Sequence, residues 1–212
     1  MEFDKIKDTL ELSQDQYALI AKPARFNIFK PGYPDPFGTP FKHIEGNQRI
    51  ILFNTGYGFF SSTPDLQQPL LDYMKKNNEP GFFYSFIDEN ENLEKDYDPK
   101  YHLFVPNSKI DIYEREMGPL ENIVYSVNGN WAFTFSYEDH CLFSGPRALS
   151  NALMERIPDL QDQVNEFLEY TIYAIKNYRE SSDWIYPLLD HMYGEEKAKE
   201  LLRSHGLDYL IP

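Results

Sequence analysis

The stretch from Ile123 to Gly145 constrains the fold more than any other part of the chain. It reads Ile-Val-Tyr-Ser-Val, then Asn128-Gly129, then Asn-Trp-Ala-Phe-Thr-Phe-Ser-Tyr. Asn-Gly between two runs of β-branched and aromatic residues signals a hairpin, because the central residues of a type I′ turn need positive φ. In the second arm Trp131, Phe133, Phe135 and Tyr137 alternate with Ala132, Thr134 and Ser136. On a pleated strand this puts four aromatic rings on one face and small groups on the other. Four rings on one face must be covered, and the helix-patterned sequence beyond Pro146 is the expected cover.

Further strands are expected at Arg49 to Asn54, Gly81 to Ile87, Tyr101 to Val105 and Lys109 to Tyr113, all short and rich in β-formers. The connections hold too little helix for repeated βαβ crossovers, so about five to seven antiparallel strands are expected. Gly56-Tyr-Gly lacks the third glycine and the helix start of a dinucleotide site, which argues against a Rossmann domain.

Helix signals flank the strands. Phe3, Ile6 and Leu10 suggest a short amphipathic helix. Ser13-x-x-Gln16 is a capping box, with Leu12 placed to staple onto Tyr17 and Pro23 as the stop. From Pro31 to Pro40, four prolines allow only an irregular loop, pinned by Tyr33, Phe37 and Phe41. Thr63-Pro64-Asp65 opens a helix that Pro69 must kink or restart before Lys76. Past Gly145, helices are expected to about Arg156, from Asp159 to Tyr178, from Trp184 to Tyr193 and from Glu195 to Arg203. In the second of these Leu160, Val164, Phe167, Leu168, Thr171, Ile172 and Ile175 form a four-turn apolar stripe. The fold class is therefore α+β, an antiparallel sheet with a C-terminal helical segment packed on one face. Residues 1–212 are expected to form a single domain, with a sheet-rich part over about 24–145 and a helical part over about 146–212.

Charge narrows the function. The chain holds 34 acids against 20 bases, a net charge of −14. Residues 1–50 are balanced, so the excess lies beyond them, and six acids with one lysine crowd between Asp88 and Asp98. Such a surface repels nucleic acid and anionic lipid and attracts a basic protein partner. No apolar run reaches the roughly 18 residues of a membrane span, and Met-Glu-Phe-Asp-Lys lacks a signal peptide's apolar segment. With the single cysteine, Cys141, this points to a cytoplasmic protein without an internal disulfide.

Catalytic signatures are sparse. Tyr137-Glu138-Asp139-His140-Cys141 is the densest reactive set. Neighbouring strand residues point to opposite faces, however, so His140 cannot serve Cys141 unless the backbone turns between them. A polar turn with Cys141 entering the core is the plainer reading. The five histidines lack metalloprotease spacing, and Asp88-x-Asn90-x-Asn92 has Leu93 and Pro99 where a calcium loop needs glycine and glutamate. No metal, cofactor or catalytic serine motif is indicated.

The reading that results is a non-catalytic acidic protein-binding module. Its sharpest form is an immunity-type inhibitor that neutralises a basic toxin or nuclease. The expected partner-binding residues are Asp88, Glu89, Glu91, Glu94, Asp96 and Asp98, with Tyr170 and Tyr173 from the acidic helical half. The alternatives are a small hydrolase built on His140, Glu138 and Asp139, or an oligomeric structural protein that joins copies through exposed aromatics.

Overall fold

The computed structural model describes residues 11–32, 34–53, 64–86, 102–109, 121–136, 140–157, 159 and 162–212. Among them six strands form one antiparallel sheet: β1 (Asn47–Phe53), β2 (Gly81–Phe86), β3 (His102–Pro106), β4 (Asn122–Ser126), β5 (Ala132–Phe135) and β6 (His140–Pro146). Their spatial order is β1-β6-β5-β4-β2-β3. The expected helix at Phe3 to Leu10 and the strand residues 110–113 lie outside the described residues, and Asn107–Lys109 forms a 3₁₀ turn.

The hairpin forms between β4 and β5, with Ile123 opposite Thr134 and Val124 opposite Phe133. Its loop differs from a two-residue type I′ turn. Ser126 N–H donates to the Trp131 carbonyl and Gly129 N–H to the Ser126 carbonyl, so residues 127–130 make the connection. Only Gly129 takes positive φ, +65°. The Ser126 hydroxyl accepts the Asn128 N–H at 2.9 Å, which gives the backbone a local partner that competes with the I′ geometry. A Cβ on Gly129 would also meet the Ala24 carbonyl at 2.6 Å, so the loop tip lies flat on the helix beneath it.

That helix begins as read. Ser13 and Gln16 exchange both capping-box bonds around α1 (Gln14–Gln16), and Leu12 and Tyr17 are buried together. Pro23 does not stop it. Residues Tyr17–Ala21 widen into a π-helix in which Lys22 N–H reaches the Tyr17 carbonyl five residues back, and α2 (Lys22–Ile28) continues with Pro23 in its first turn. The wider turn relieves the clash that a proline ring makes with the carbonyl four residues earlier. Likewise α3 (Pro64–Lys76) runs through Pro69 instead of restarting there.

The remaining helices are α4 (Arg147–Arg156), α5 (Gln163–Tyr178), α6 (Ile185–Tyr193) and α7 (Glu195–Ser204). They divide between the two faces of the sheet. The C-terminal segment α5–α7 covers one face together with the π-turn Tyr17–Ala21 and α2, burying Ile51, Phe83, Phe104, Tyr125 and Leu142. The aromatic face carries Trp131, Phe133, Phe135, Cys141 and Phe143, and its cover is α3 and α4, through Leu66, Leu70, Met74, Leu149 and Leu153. On this face Phe133 sits opposite Phe143 with ring centroids 4.7 Å apart. Gly145 stays bare because a Cβ there would lie 2.5 Å from the Phe143 ring.

Helices on both faces explain the continuous apolar run of β1. Ile50 and Leu52 join the aromatic layer, while Ile51 and Phe53 join the other. β1 is nonetheless an edge strand, and two of its outward N–H groups are closed by side chains. Ile51 N–H donates to the Tyr193 hydroxyl at 2.9 Å and Phe53 N–H to Gln163 Oε1 at 3.0 Å. These bonds deny the edge to an incoming strand.

Candidate functional site

Three places collect the side chains that could carry function. The first is the outward face of α5. Its apolar stripe, Val164, Phe167, Leu168, Thr171 and Ala174, is buried, which leaves Tyr170, Tyr173 and Tyr178 exposed on the other side at 43%, 53% and 65%. Tyr170 rests against Phe53 with ring centroids 5.6 Å apart. Tyr173 and Tyr178 meet edge-on at 6.0 Å, and the hydrogen bond that the Tyr178 hydroxyl gives this neighbour raises the Tyr178 pKa. Glu166, Glu169 and Glu180 are exposed beside them. Of the other tyrosines in this half, Tyr186 and Tyr193 are partly buried against the core. Asp88, Glu89, Glu91, Glu94, Asp96 and Asp98 lie outside the described residues.

The second place is His140. It opens β6 and is buried, 1% exposed, with Phe37 and Phe167 packed on its ring at 4.8 and 5.2 Å. Nε2 lies 3.0 Å from the Pro36 carbonyl, so Nε2 is the protonated nitrogen. The irregular proline loop thus reaches the sheet, where Thr134 Oγ1 also donates to the Pro34 carbonyl. The space beside His140, Trp184 and Thr171 is about 10 Å³, enough for one water. Cys141, the next residue, faces the opposite layer and is wholly buried, which pushes its thiol well above the ordinary range. Glu138 and Asp139 lie outside the described residues. A buried histidine with a hydroxyl partner is His102, whose Nδ1 sits 2.9 Å from Ser85 Oγ. The two residues are cross-strand neighbours, both buried, and Tyr17 stacks on the imidazole at 4.1 Å.

The third place is a cleft of about 670 Å³ beside β1, walled by α4, α5, α6 and α7. Arg49 and His191 meet in it. One Arg49 nitrogen donates to the His191 carbonyl and the other to the Lys42 carbonyl at 3.0 Å, which ties the start of β1 to the end of α6. Phe41 N–H donates to His191 Nε2 at 3.2 Å, leaving the ring proton on Nδ1, 3.4 Å from the guanidinium. Burial, then the Arg49 and Lys30 charges, lower His191 to about 3. No carboxylate pairs with Arg49 within ion-pair distance among the described residues.

Sequence reading did not single out this cleft, because Arg49 and His191 are 142 residues apart and neither sits in a motif. One signal was present: Arg49 shares a strand face with Ile51 and Phe53, which is an unusual place for a cation. Among the described residues no three of His, Cys, Asp and Glu come together as metal ligands, and no helix is long and apolar enough to cross a membrane. The chain matches no protein-family model, no curated protein and no solved structure.

Proposed function

We propose that the protein is a non-catalytic binding module for a basic protein partner. The observation that carries this reading is the α5 face, where Tyr170, Tyr173 and Tyr178 stand in water beside Glu166, Glu169 and Glu180. Tyrosine buries a large area on binding at low rotamer cost, and its hydroxyl is satisfied at the rim, so exposed tyrosine clusters suit binding hot spots. Acidic flanks on a chain of net charge −14 speed encounter with a cationic surface and disfavour a second copy of the same face. An inhibitor of a basic toxin or nuclease, of the immunity type, is the sharpest form of this reading, and the six acids of the Asp88 to Asp98 run add to the chain's negative charge. The hydrolase reading at His140 draws less support, since among the described residues the space beside the ring is about 10 Å³, too small for a substrate.

The test is affinity capture from a lysate with the wild-type chain and with a Tyr170→Ala/Tyr173→Ala variant. A basic protein held stoichiometrically at low salt should be released at about 0.5 M, where the Debye length is only a few Å. The variant should hold it at least about 30-fold more weakly, as expected for hot-spot truncation near 2 kcal/mol. Retention that is indifferent to both salt and the two tyrosines overturns the reading.

A further inference from the structure

The cleft beside β1 has the properties of a ligand site separate from the α5 tyrosines. Its volume, about 670 Å³, lies within the range of small-molecule pockets. Its wall is mixed: Ile44, Met154, Val164, Met192 and Leu201 give apolar surface, while Asn47, Gln48 and Asn165 give amide groups. The charge at its centre is a cation. Arg49 is about half buried, and burial itself lowers its affinity for the proton, yet its hydrogen bonds go to two neutral carbonyls and not to a carboxylate. Those bonds engage two of its five N–H groups. In a chain with 34 acids, a half-buried guanidinium left without an acid is a charge awaiting a counter-ion.

The surrounding groups agree. Burial, then the Arg49 charge, lowers the proton affinity of Lys30, and His191 is held neutral by burial and by these two cations. His43 and Lys197 also line the cleft, and Asp190 is the one acid among the lining residues. Asp190 falls outside ion-pair distance of Arg49, which leaves it available to a hydroxyl or amine on the ligand.

We infer that the cleft binds a small organic anion, a carboxylate or phosphate monoester on an apolar body, with the oxyanion on Arg49 and the body against Met154, Val164 and Leu201. The guanidinium fork matches either oxyanion through paired N–H groups. Burial is the larger cause of the lowered His191 titration and stays in place; a bound anion offsets only the Arg49 and Lys30 charges that add to it, so occupancy moves that titration part of the way upward.

The probes are 2-naphthoate, 1-naphthyl phosphate and the neutral 2-naphthalenemethanol, titrated calorimetrically into the full chain. Saturable one-to-one binding of either anion, with the alcohol at least about tenfold weaker, is expected, since a hydrogen bond to a charged group contributes about 1.5–3 kcal/mol. The preferred anion identifies the headgroup. Arg49→Gln should abolish the preference for the anion and Arg49→Lys should keep part of it. Because Arg49 also ties two segments together, Asn165→Trp supplies an independent check: it fills the cleft from α5 and should block binding while near-UV circular dichroism stays native. Ring ¹⁵N spectra should show His191 taking up a proton at higher pH in the presence of the bound anion. Absence of binding at millimolar concentrations, equal binding of the neutral alcohol, or binding unaffected by Asn165→Trp overturns the inference.

Discussion

Glu79 is a carboxyl buried beneath the hairpin, 2% exposed, where its Oε2 accepts bonds from Ser126 Oγ at 3.0 Å and Trp131 Nε1 at 3.1 Å. Burial raises its pKa, and the donors from Ser126, Trp131 and Asn128 offset that rise without reversing it. Folding therefore favours the protonated acid more than the unfolded chain does. A group whose pKa is raised on folding gives its full stabilisation below its unfolded value and loses it as pH rises through the folded one. Glu79→Gln has no proton to lose, so its melting temperature relative to wild type should climb between pH 4 and pH 8. A constant difference across that window would mean Glu79 does not titrate there. Cys141 permits a sharper test of the Cys-His reading. Its thiol is wholly buried and on the other side of the sheet from His140. A thiol reagent should label it only through the unfolded chain, at a rate that becomes independent of reagent concentration once labelling outpaces refolding. Labelling of the native chain at the rate of a free thiol would reopen the case for a reactive cysteine.

At the scale of elements, the β1 edge depends on hydroxyl and amide groups sent from helices. Tyr193→Phe removes the acceptor of the Ile51 N–H while keeping the ring in the core. Leaving that buried group unpaired should cost about 1–3 kcal/mol, and hydrogen exchange at the Ile51 amide should accelerate more than at amides of central strands. If Ile51 stays as protected as before, the edge is closed by other means. Such edge closure was not visible in the sequence, where Tyr193 reads only as the last residue of a helix. What could be read were features whose cause is local: the alternation of β5, the capping box at Ser13, and the stripe of α5, whose off-stripe positions place Tyr170 and Tyr173 outward. Features set by distant contacts could not be read. The four-residue loop at Asn128 follows from Ser126 and from contact with α2, and the passage of a helix through Pro23 needs a π-turn that no residue type announces. A helical stripe says that one side is buried but not which face of the sheet it meets, so α3 and α4 emerged as the cover of the aromatic layer only in three dimensions. The Arg49–His191 cleft belongs to this second kind.

For the whole molecule, the layered plan makes a statement about cooperativity. Each strand of the sheet sends alternate residues into two separate cores, and neither core is complete without the strands they share. Loss of the α5–α7 layer would expose Ile51, Phe83, Tyr125 and Leu142, while loss of α3 and α4 would expose the ring cluster around Phe133. Either loss strips apolar area from every strand at about 25 cal/mol per Å², far more than the margin by which a domain of this size is stable. The two layers should therefore unfold together. The chain carries two tryptophans, and they sample the layers separately: Trp131 lies within the aromatic core, and Trp184 packs against the helical one. In Trp184→Phe, fluorescence reports the aromatic layer alone, and in Trp131→Phe it reports the helical layer alone. Trp131→Phe also loses the bond to Glu79 and will be the less stable of the two, so the comparison is made within each variant, between fluorescence and far-UV circular dichroism in a urea titration. Coincident midpoints and slopes in both variants are the expected result for one cooperative domain. A fluorescence transition that precedes the loss of helix in either variant would show the layers to be independent, and the chain would then have to be divided at the sheet.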